Sequence, residues 1–193
     1  MEKQLEGPLQ KAIFFLEAQG YRYAIIGGIA LSEWGFIRVT RDVDVKVLVP
    51  DMDYTAVRNA LRGAFPTRAR VHVPENPFIV AVEIDEVIVD FLLAAPGYEE
   101  MIIERAVQRD LGGWSAWICS AEDLIIQKVV AGRGKDWPDV EALLIEQHGR
   151  LDEPYIENWL AQFAEALEEP QLLTEYQRLV AQVRQLGDDN QYQ

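Results

Sequence analysis

Residues 38–49 read Arg-Val-Thr-Arg-Asp-Val-Asp-Val-Lys-Val-Leu-Val, and their alternation is typical of a β-strand. From Asp42 to Val49, valines occupy every second position. Successive side chains of a strand point to opposite faces, so the valines form one core-facing row and Asp42 and Asp44 project together from the other face. Two neighbouring carboxylates repel each other unless a positive charge compensates them. Hard oxygen ligands at this spacing suit Mg²⁺ or Mn²⁺.

A third carboxylate, Asp90, stands inside the apolar run Val87-Ile-Val-Asp-Phe-Leu-Leu93. An ionised carboxylate among apolar neighbours is costly without a partner or a metal. Three convergent carboxylates can hold two metal ions, which stabilise the attacking and the leaving oxygen of a phosphoryl displacement. We therefore predict that Asp42, Asp44 and Asp90 are catalytic and bind metal. The alternatives are a solvated strand face for the first two and an exposed hairpin edge for Asp90.

Gly27 and Gly28 follow a predicted strand at residues 21–26 and precede a predicted short helix at residues 29–35. Glycines lack a Cβ atom, so their backbone can approach a phosphate closely. The first turn of a helix also offers free N–H groups and a favourable dipole to an anion. The pair is predicted to bind nucleotide phosphates, and the alternative is an ordinary turn.

The order of predicted elements indicates an α+β fold with a mixed sheet and helices packed on it, followed by a helical C-terminal region. A hairpin connection at residues 84–86 and longer crossovers both enter this prediction. Strands are predicted at residues 21–26, 42–49, 70–73, 78–83, 87–93 and 114–119. Longer helices are predicted at residues 8–19, 53–64, 97–107, 120–131, 138–147, 153–167 and 171–186.

Composition narrows the classes of partner. The formal charge of the 193-residue chain is −14, which repels nucleic-acid phosphates, so no broad DNA-binding surface is expected. The longest apolar run, residues 87–95, is interrupted by Asp90 and is far shorter than the roughly 20 residues that cross a bilayer. Cys119 is the only cysteine, and the first residues do not resemble a signal peptide. We expect a cytoplasmic protein with no membrane partner.

The sequence resembles the DNA polymerase β-like nucleotidyltransferase superfamily. The resemblance lies in Ile25-Ile-Gly-Gly-Ile-Ala-Leu31, Arg38-Val-Thr-Arg-Asp-Val-Asp-Val45 and Val89-Asp-Phe91. Two later stretches, Ala121-Glu-Asp-Leu-Ile-Ile-Gln-Lys128 and Arg133-Gly-Lys-Asp-Trp-Pro-Asp139, are similar to the AbiEii-like branch, which includes abortive-infection and toxin components. The resemblance covers about residues 20–147. We predict a nucleotidyltransferase domain over residues 1–150 and a helical C-terminal extension over residues 151–193.

The same resemblance implies roles for individual residues. Asp42, Asp44 and Asp90 bind metal, and Asp90 assists deprotonation of the acceptor hydroxyl. Gly27 and Gly28 hold the triphosphate. Many members have serine where this chain has Gly28, so phosphate binding would rest on backbone N–H groups and on Arg41.

Three later residues complete the predicted nucleotide site. By the same resemblance, Lys128 is expected to meet the phosphates, and Asp136 or Asp139 to support the nucleotide or the acceptor. The alternatives are a solvated helix edge for Lys128 and helix capping near Pro138 for the two aspartates.

The predicted activity is Mg²⁺-dependent transfer of a nucleoside monophosphate from an NTP to a hydroxyl. The acceptor could be an RNA end, a protein side chain or a small molecule. One hypothesis is a toxin-type enzyme with a cognate antitoxin. A non-catalytic module that binds nucleotide or a partner protein is the main alternative. A metal-dependent phosphohydrolase is the third hypothesis.

Overall fold

The computed structural model describes residues 3–68 and 76–190. The chain divides into two compact units, one formed by Met1–Glu33 and Ile37–Ser120 and the other by Trp34–Phe36 and Ala121–Gln193. The predicted strand at residues 70–73 lies outside the described residues. The predicted domain boundary at residue 150 stays a prediction.

The first unit has an α+β architecture, as predicted. The described residues of this unit form a six-stranded mixed sheet with the order β3-β4-β2-β1-β6-β5. The bounds of its elements are α1 Lys3–Ala18, β1 Tyr23–Ile26, α2 Gly27–Glu33, β2 Asp42–Val47, a 3₁₀ turn Pro50–Met52, α3 Tyr54–Ala64, β3 Ile79–Ile84, β4 Val87–Leu93, α4 Tyr98–Glu104, β5 Val107–Asp110 and β6 Ser115–Ile118.

The centre of this sheet is made by β2, which pairs with β1 in antiparallel and with β4 in parallel orientation. Val43, Val45 and Val47 are fully buried, which confirms the row of valines expected from the alternation. Phe91 of β4 lies opposite Val45 and is also fully buried. Burial of this row stabilises the strand by about 1.5–3 kcal/mol per side chain, and the opposite face of β2 is left to the aspartates.

Local signals set several connections in the first unit. The backbone N–H of Ala56 donates to the Asp53 side chain at 2.9 Å, so Asp53 caps α3. Asp85 and Glu86 both have positive φ angles, 49° and 65°, and form the tight turn between β3 and β4. That turn confirms the predicted hairpin at residues 84–86.

One strand was not expected from the sequence. The predicted helix at residues 97–107 ends at Glu104, and β5 begins at Val107 and pairs with β6 in antiparallel orientation. Most of β5 is exposed, so the strand carries no apolar alternation that would indicate it. The sequence feature that could have indicated this strand is the turn after it. There the backbone N–H groups of Gly112 and Gly113 donate to Asp110 at 2.8 and 2.9 Å.

The second unit is built around four helices, α5 Ala121–Ala131, α6 Asp136–Glu146, α7 Glu153–Ala166 and α8 Gln171–Asn190. All four helices were predicted, with bounds that differ by a few residues. Gln147 donates its side-chain amide to the carbonyl oxygen of Trp34 at 2.6 Å, which ties residues 34–36 to this unit. Within the described ranges, no helix combines the length and the apolar character that crossing a bilayer requires.

Candidate functional site

Three aspartates converge on one face of the first unit's sheet. Asp44 of β2 and Asp90 of β4 are direct partners in the parallel register, and Asp42 lies two residues before Asp44 on the same face. One carboxylate oxygen from each residue lies within 4.8 Å of the others. The structure therefore brings together the three side chains that the sequence singled out.

The donor set fits a divalent cation. All three groups supply hard oxygen ligands, the type that Mg²⁺ and Mn²⁺ prefer. Asp90 is only 5% exposed, whereas Asp42 and Asp44 are partly exposed. A cation between the three carboxylates would offset both their mutual repulsion and the cost of burying Asp90.

Gly27 lies directly against this cluster, and Gly28 lies against the neighbouring Thr40. Gly27 has a φ angle of +67°, in the left-handed region, and begins α2 immediately after β1. A Cβ atom at Gly27 would lie 2.3 Å from Oδ2 of Asp44, and one at Gly28 would lie 2.7 Å from Thr40. Asp44 and Thr40 therefore leave no room for a side chain at either position, which explains why both residues are glycine. The helix was expected to begin at residue 29, and it begins at Gly27.

Two further polar residues border the carboxylates, and sequence reasoning assigned a role to neither. The hydroxyl of Thr40 donates to Oδ1 of Asp42 at 2.9 Å. Lys46 continues the alternation of Asp42 and Asp44, is 3% exposed and forms an ion pair with Glu99. The signal for Thr40 was its place in the quoted motif, but the partner of Lys46 is too distant in sequence to infer.

Arg41, the remaining predicted phosphate contact of the first unit, lies immediately before β2. Its side chain is exposed, directly preceding the first aspartate of the cluster. An exposed guanidinium can approach a phosphate with little desolvation cost, so the structure is compatible with the predicted role.

The other predicted nucleotide residues belong to the second unit and form a buried ion cluster there. Nζ of Lys128 lies 2.5 Å from Oδ2 of Asp139 and 3.7 Å from Oδ1 of Asp136. Lys128 is 6% exposed and each aspartate 1%, so the solvated helix edge considered for Lys128 is wrong. The cluster joins α5 to α6, a structural role that does not depend on a nucleotide.

Arg133 completes this cluster from the loop between the two helices. Its Nε donates to Oδ2 of Asp136 at 2.6 Å and its Nη2 to Oδ1 at 3.1 Å, a bidentate pair. Burial by itself raises the pKa of Asp136, but the hydrogen bonds and charge of Arg133, together with the charge of Lys128, hold that pKa below its ordinary value. Asp136 is thus an ionised carboxylate fixed by two cations.

Comparison with protein families identifies the class of the chain. Residues 9–185 match a family model described as "Nucleotidyltransferase of unknown function (DUF6036)". The chain belongs to this family. Its enzyme class is therefore nucleotidyltransferase, which confirms the coarser part of the resemblance in the sequence. The AbiEii-like branch is a finer assignment and stays a prediction. No curated protein matches the chain in sequence.

Solved structures with the same fold include other nucleotidyltransferases. An antigenic nucleotidyltransferase-like protein from Paracoccidioides brasiliensis is 17% identical, with 91% of this chain and 93% of that chain covered and a TM-score of 0.56. ANT(2″)-Ia in complex with adenylyl-2″-tobramycin is 15% identical, with coverages of 83% and 97% and a TM-score of 0.54. At these identities the likeness establishes the fold.

Proposed function

We propose that this protein transfers a nucleoside monophosphate from an NTP to a hydroxyl acceptor, with divalent cations held by Asp42, Asp44 and Asp90. The observation that carries the proposal is the convergence of these three carboxylates within 4.8 Å in a member of a nucleotidyltransferase family. Three convergent carboxylates can hold the metal ions that stabilise the attacking and leaving oxygens of a phosphoryl transfer.

The proposed reaction is a displacement at the α-phosphorus of the NTP. The acceptor oxygen bonds to the α-phosphorus, the bond between the α-phosphorus and the bridging oxygen breaks, and pyrophosphate leaves with that oxygen. The proton of the acceptor hydroxyl passes to a carboxylate, for which we assign Asp90 because it is the buried member of the triad. Two bound Mg²⁺ ions, or Mn²⁺ in their place, would neutralise charge on the attacking and leaving oxygens.

In this proposal, three further residues of the first unit position the triphosphate, namely Gly27, Gly28 and Arg41. Gly27 presents its backbone beside Asp44, and Gly28 follows it in the first turn of α2. Arg41 offers an exposed guanidinium next to Asp42. Positioning by fixed groups lowers the entropic part of the barrier.

The acceptor in this proposal is a hydroxyl compound, and a transfer assay with a mixed pool of acceptors identifies its class. One structure of the same fold holds an adenylylated small molecule, adenylyl-2″-tobramycin, so small molecules are included in the acceptor pool. The charge of −14 disfavours a long nucleic-acid footprint but allows contact with an RNA terminus. The toxin role, the antitoxin partner and the cytoplasmic location stay predictions from the sequence.

A transfer assay tests the proposal. Purified protein is incubated with each α-labelled NTP, Mg²⁺, and a pool of total RNA, lysate protein and small hydroxyl compounds. Asp42→Asn and Asp90→Asn remove one carboxylate charge each with little change in shape. Asp85→Asn is the matched control, because Asp85 is an exposed aspartate of the same unit that pairs with Lys11 at 2.7 Å.

We expect label transfer by the wild type and by Asp85→Asn, and a loss of at least about 100-fold in both triad variants. The fraction that takes up the label names the acceptor class. NTP binding without transfer would instead support a nucleotide-binding module, and release of inorganic phosphate without an acceptor would support a phosphohydrolase. If the wild type bound no NTP in the presence of Mg²⁺, the proposed site would be wrong.

A further inference from the structure

Thr40 makes a direct contact with the first aspartate of the triad. Its hydroxyl lies 2.9 Å from Oδ1 of Asp42 and 3.4 Å from the backbone carbonyl oxygen of the same residue. A hydroxyl has one proton to donate. The carboxylate oxygen is both nearer and charged, so it is a stronger acceptor than the carbonyl oxygen. The hydrogen bond therefore restricts rotation of the Asp42 carboxylate about its Cβ–Cγ bond.

The position of Thr40 is itself set by the first turn of α2. A Cβ atom on Gly28 would lie 2.7 Å from both Cβ and Oγ1 of Thr40 and 3.1 Å from its Cγ2. The bare backbone of Gly28 thus provides the surface against which Thr40 rests. The carbonyl oxygen of Gly28 also accepts a hydrogen bond from Ser32 at 3.2 Å. A β-branched side chain packed in this way has little freedom about χ1.

We propose that Thr40 is a positioning residue that holds the Asp42 carboxylate in the orientation that binds a divalent cation. The inference rests on the proposed function, because it assigns Asp42 to a metal site. Ligating carboxylates work best when a second group fixes their orientation, and removal of such a partner typically weakens metal binding or activity about 10–100-fold. Thr40 touches neither the cation nor the substrate in this account and acts through Asp42.

The full chain offers a pair of variants that separates the hydroxyl from the methyl group. Thr40→Val has nearly the same shape but cannot donate a hydrogen bond, and Thr40→Ser keeps the hydroxyl and loses the methyl. Binding of Mn²⁺ alone is measured by isothermal titration and by the electron-spin-resonance signal of the free ion. We expect binding about 10-fold weaker in Thr40→Val and about as tight as the wild type in Thr40→Ser.

Two outcomes would overturn the inference. Mn²⁺ binding by Thr40→Val at wild-type affinity would show that the hydroxyl is dispensable. Weaker binding in Thr40→Ser with normal binding in Thr40→Val would assign Thr40 a packing role only. If Thr40→Val did not fold, Thr40→Ala would replace it, since it also lacks the hydroxyl and needs no additional space.

Asp42→Asn separates failure of the inference from failure of the proposed function. Wild-type binding that Asp42→Asn loses and Thr40→Val retains would overturn the role of Thr40 and leave the metal site intact. A wild type that bound no Mn²⁺, or an Asp42→Asn variant that bound it equally well, would overturn the proposed metal site and the role of Thr40 with it.

Discussion

Replacing Gly27 with alanine perturbs the backbone and the carboxylate cluster at the same time. Gly27 has a φ angle of +67°, and an alanine held there costs about 1–2 kcal/mol of folding free energy. The new methyl would also lie 2.3 Å from Oδ2 of Asp44, closer than the 3.0 Å below which neighbouring atoms must shift. Oδ2 must therefore move by about 0.7 Å.

Rotation of the Asp44 carboxylate relieves only the closest contact. Its Cγ and Cβ atoms would still lie 3.1 and 3.2 Å from the methyl, so the whole side chain is crowded. A displacement approaching 1 Å in a group that positions the reaction can lower the rate about 100-fold. We expect Gly27→Ala to lose transfer activity by about this factor while it remains folded.

Gly20→Ala is the matched control for backbone strain. Gly20 has a similar φ angle of +73°, and a Cβ atom there would have nothing within 4 Å. Urea unfolding should show a loss of about 1–2 kcal/mol in Gly20→Ala, and a loss at least as large in Gly27→Ala, where crowding of Asp44 adds to the backbone strain. Only Gly27→Ala should also lose Mn²⁺ binding and transfer. Equal activity in the two variants, or a Gly27→Ala variant that bound Mn²⁺ normally, would show that the Asp44 carboxylate does not need a glycine at position 27.

Two further predictions concern the buried ion cluster of the second unit. Lys128→Met leaves the Asp139 carboxylate buried without its lysine partner and should destabilise the protein by about 3–5 kcal/mol in urea unfolding; a loss below about 1 kcal/mol would contradict this. Because the pKa of Asp136 is lower in the folded protein than its ordinary value of 3.8, ionised Asp136 stabilises the fold above that value and loses this contribution as the pH falls below it. The stability difference between the wild type and Asp136→Asn should therefore shrink from pH 6 towards pH 3, and a difference that does not change with pH would exclude this account.

Much of the fold follows from local patterns that the sequence carries. The valines that alternate along residues 43–47 require a half-buried strand, and the apolar run around Asp90 requires a buried one. Local periodicity failed at residues 107–110, because an exposed edge strand has no apolar side to display. Its pairing with residues 115–118 is a tertiary contact.

For the candidate site too, local patterns predicted some features and the folded structure revealed others. Sequence spacing alone placed Asp42 and Asp44 on one strand face, and the cost of burying a charge marked Asp90 as a third member. Only the parallel register of two strands distant in sequence set Asp44 opposite Asp90. The folded chain also showed that Gly27 makes room for Asp44.

The identity of the acidic residues and the fold class that carries them could be predicted from local patterns alone. The individual contacts emerged from the folded structure, including the hydrogen bond of the Thr40 hydroxyl to Asp42 and the pairing of Lys128 with Asp139. The physical reason is that alternation and burial are properties of a local segment. A hydrogen bond or an ion pair depends on distances of a few ångströms, which packing sets.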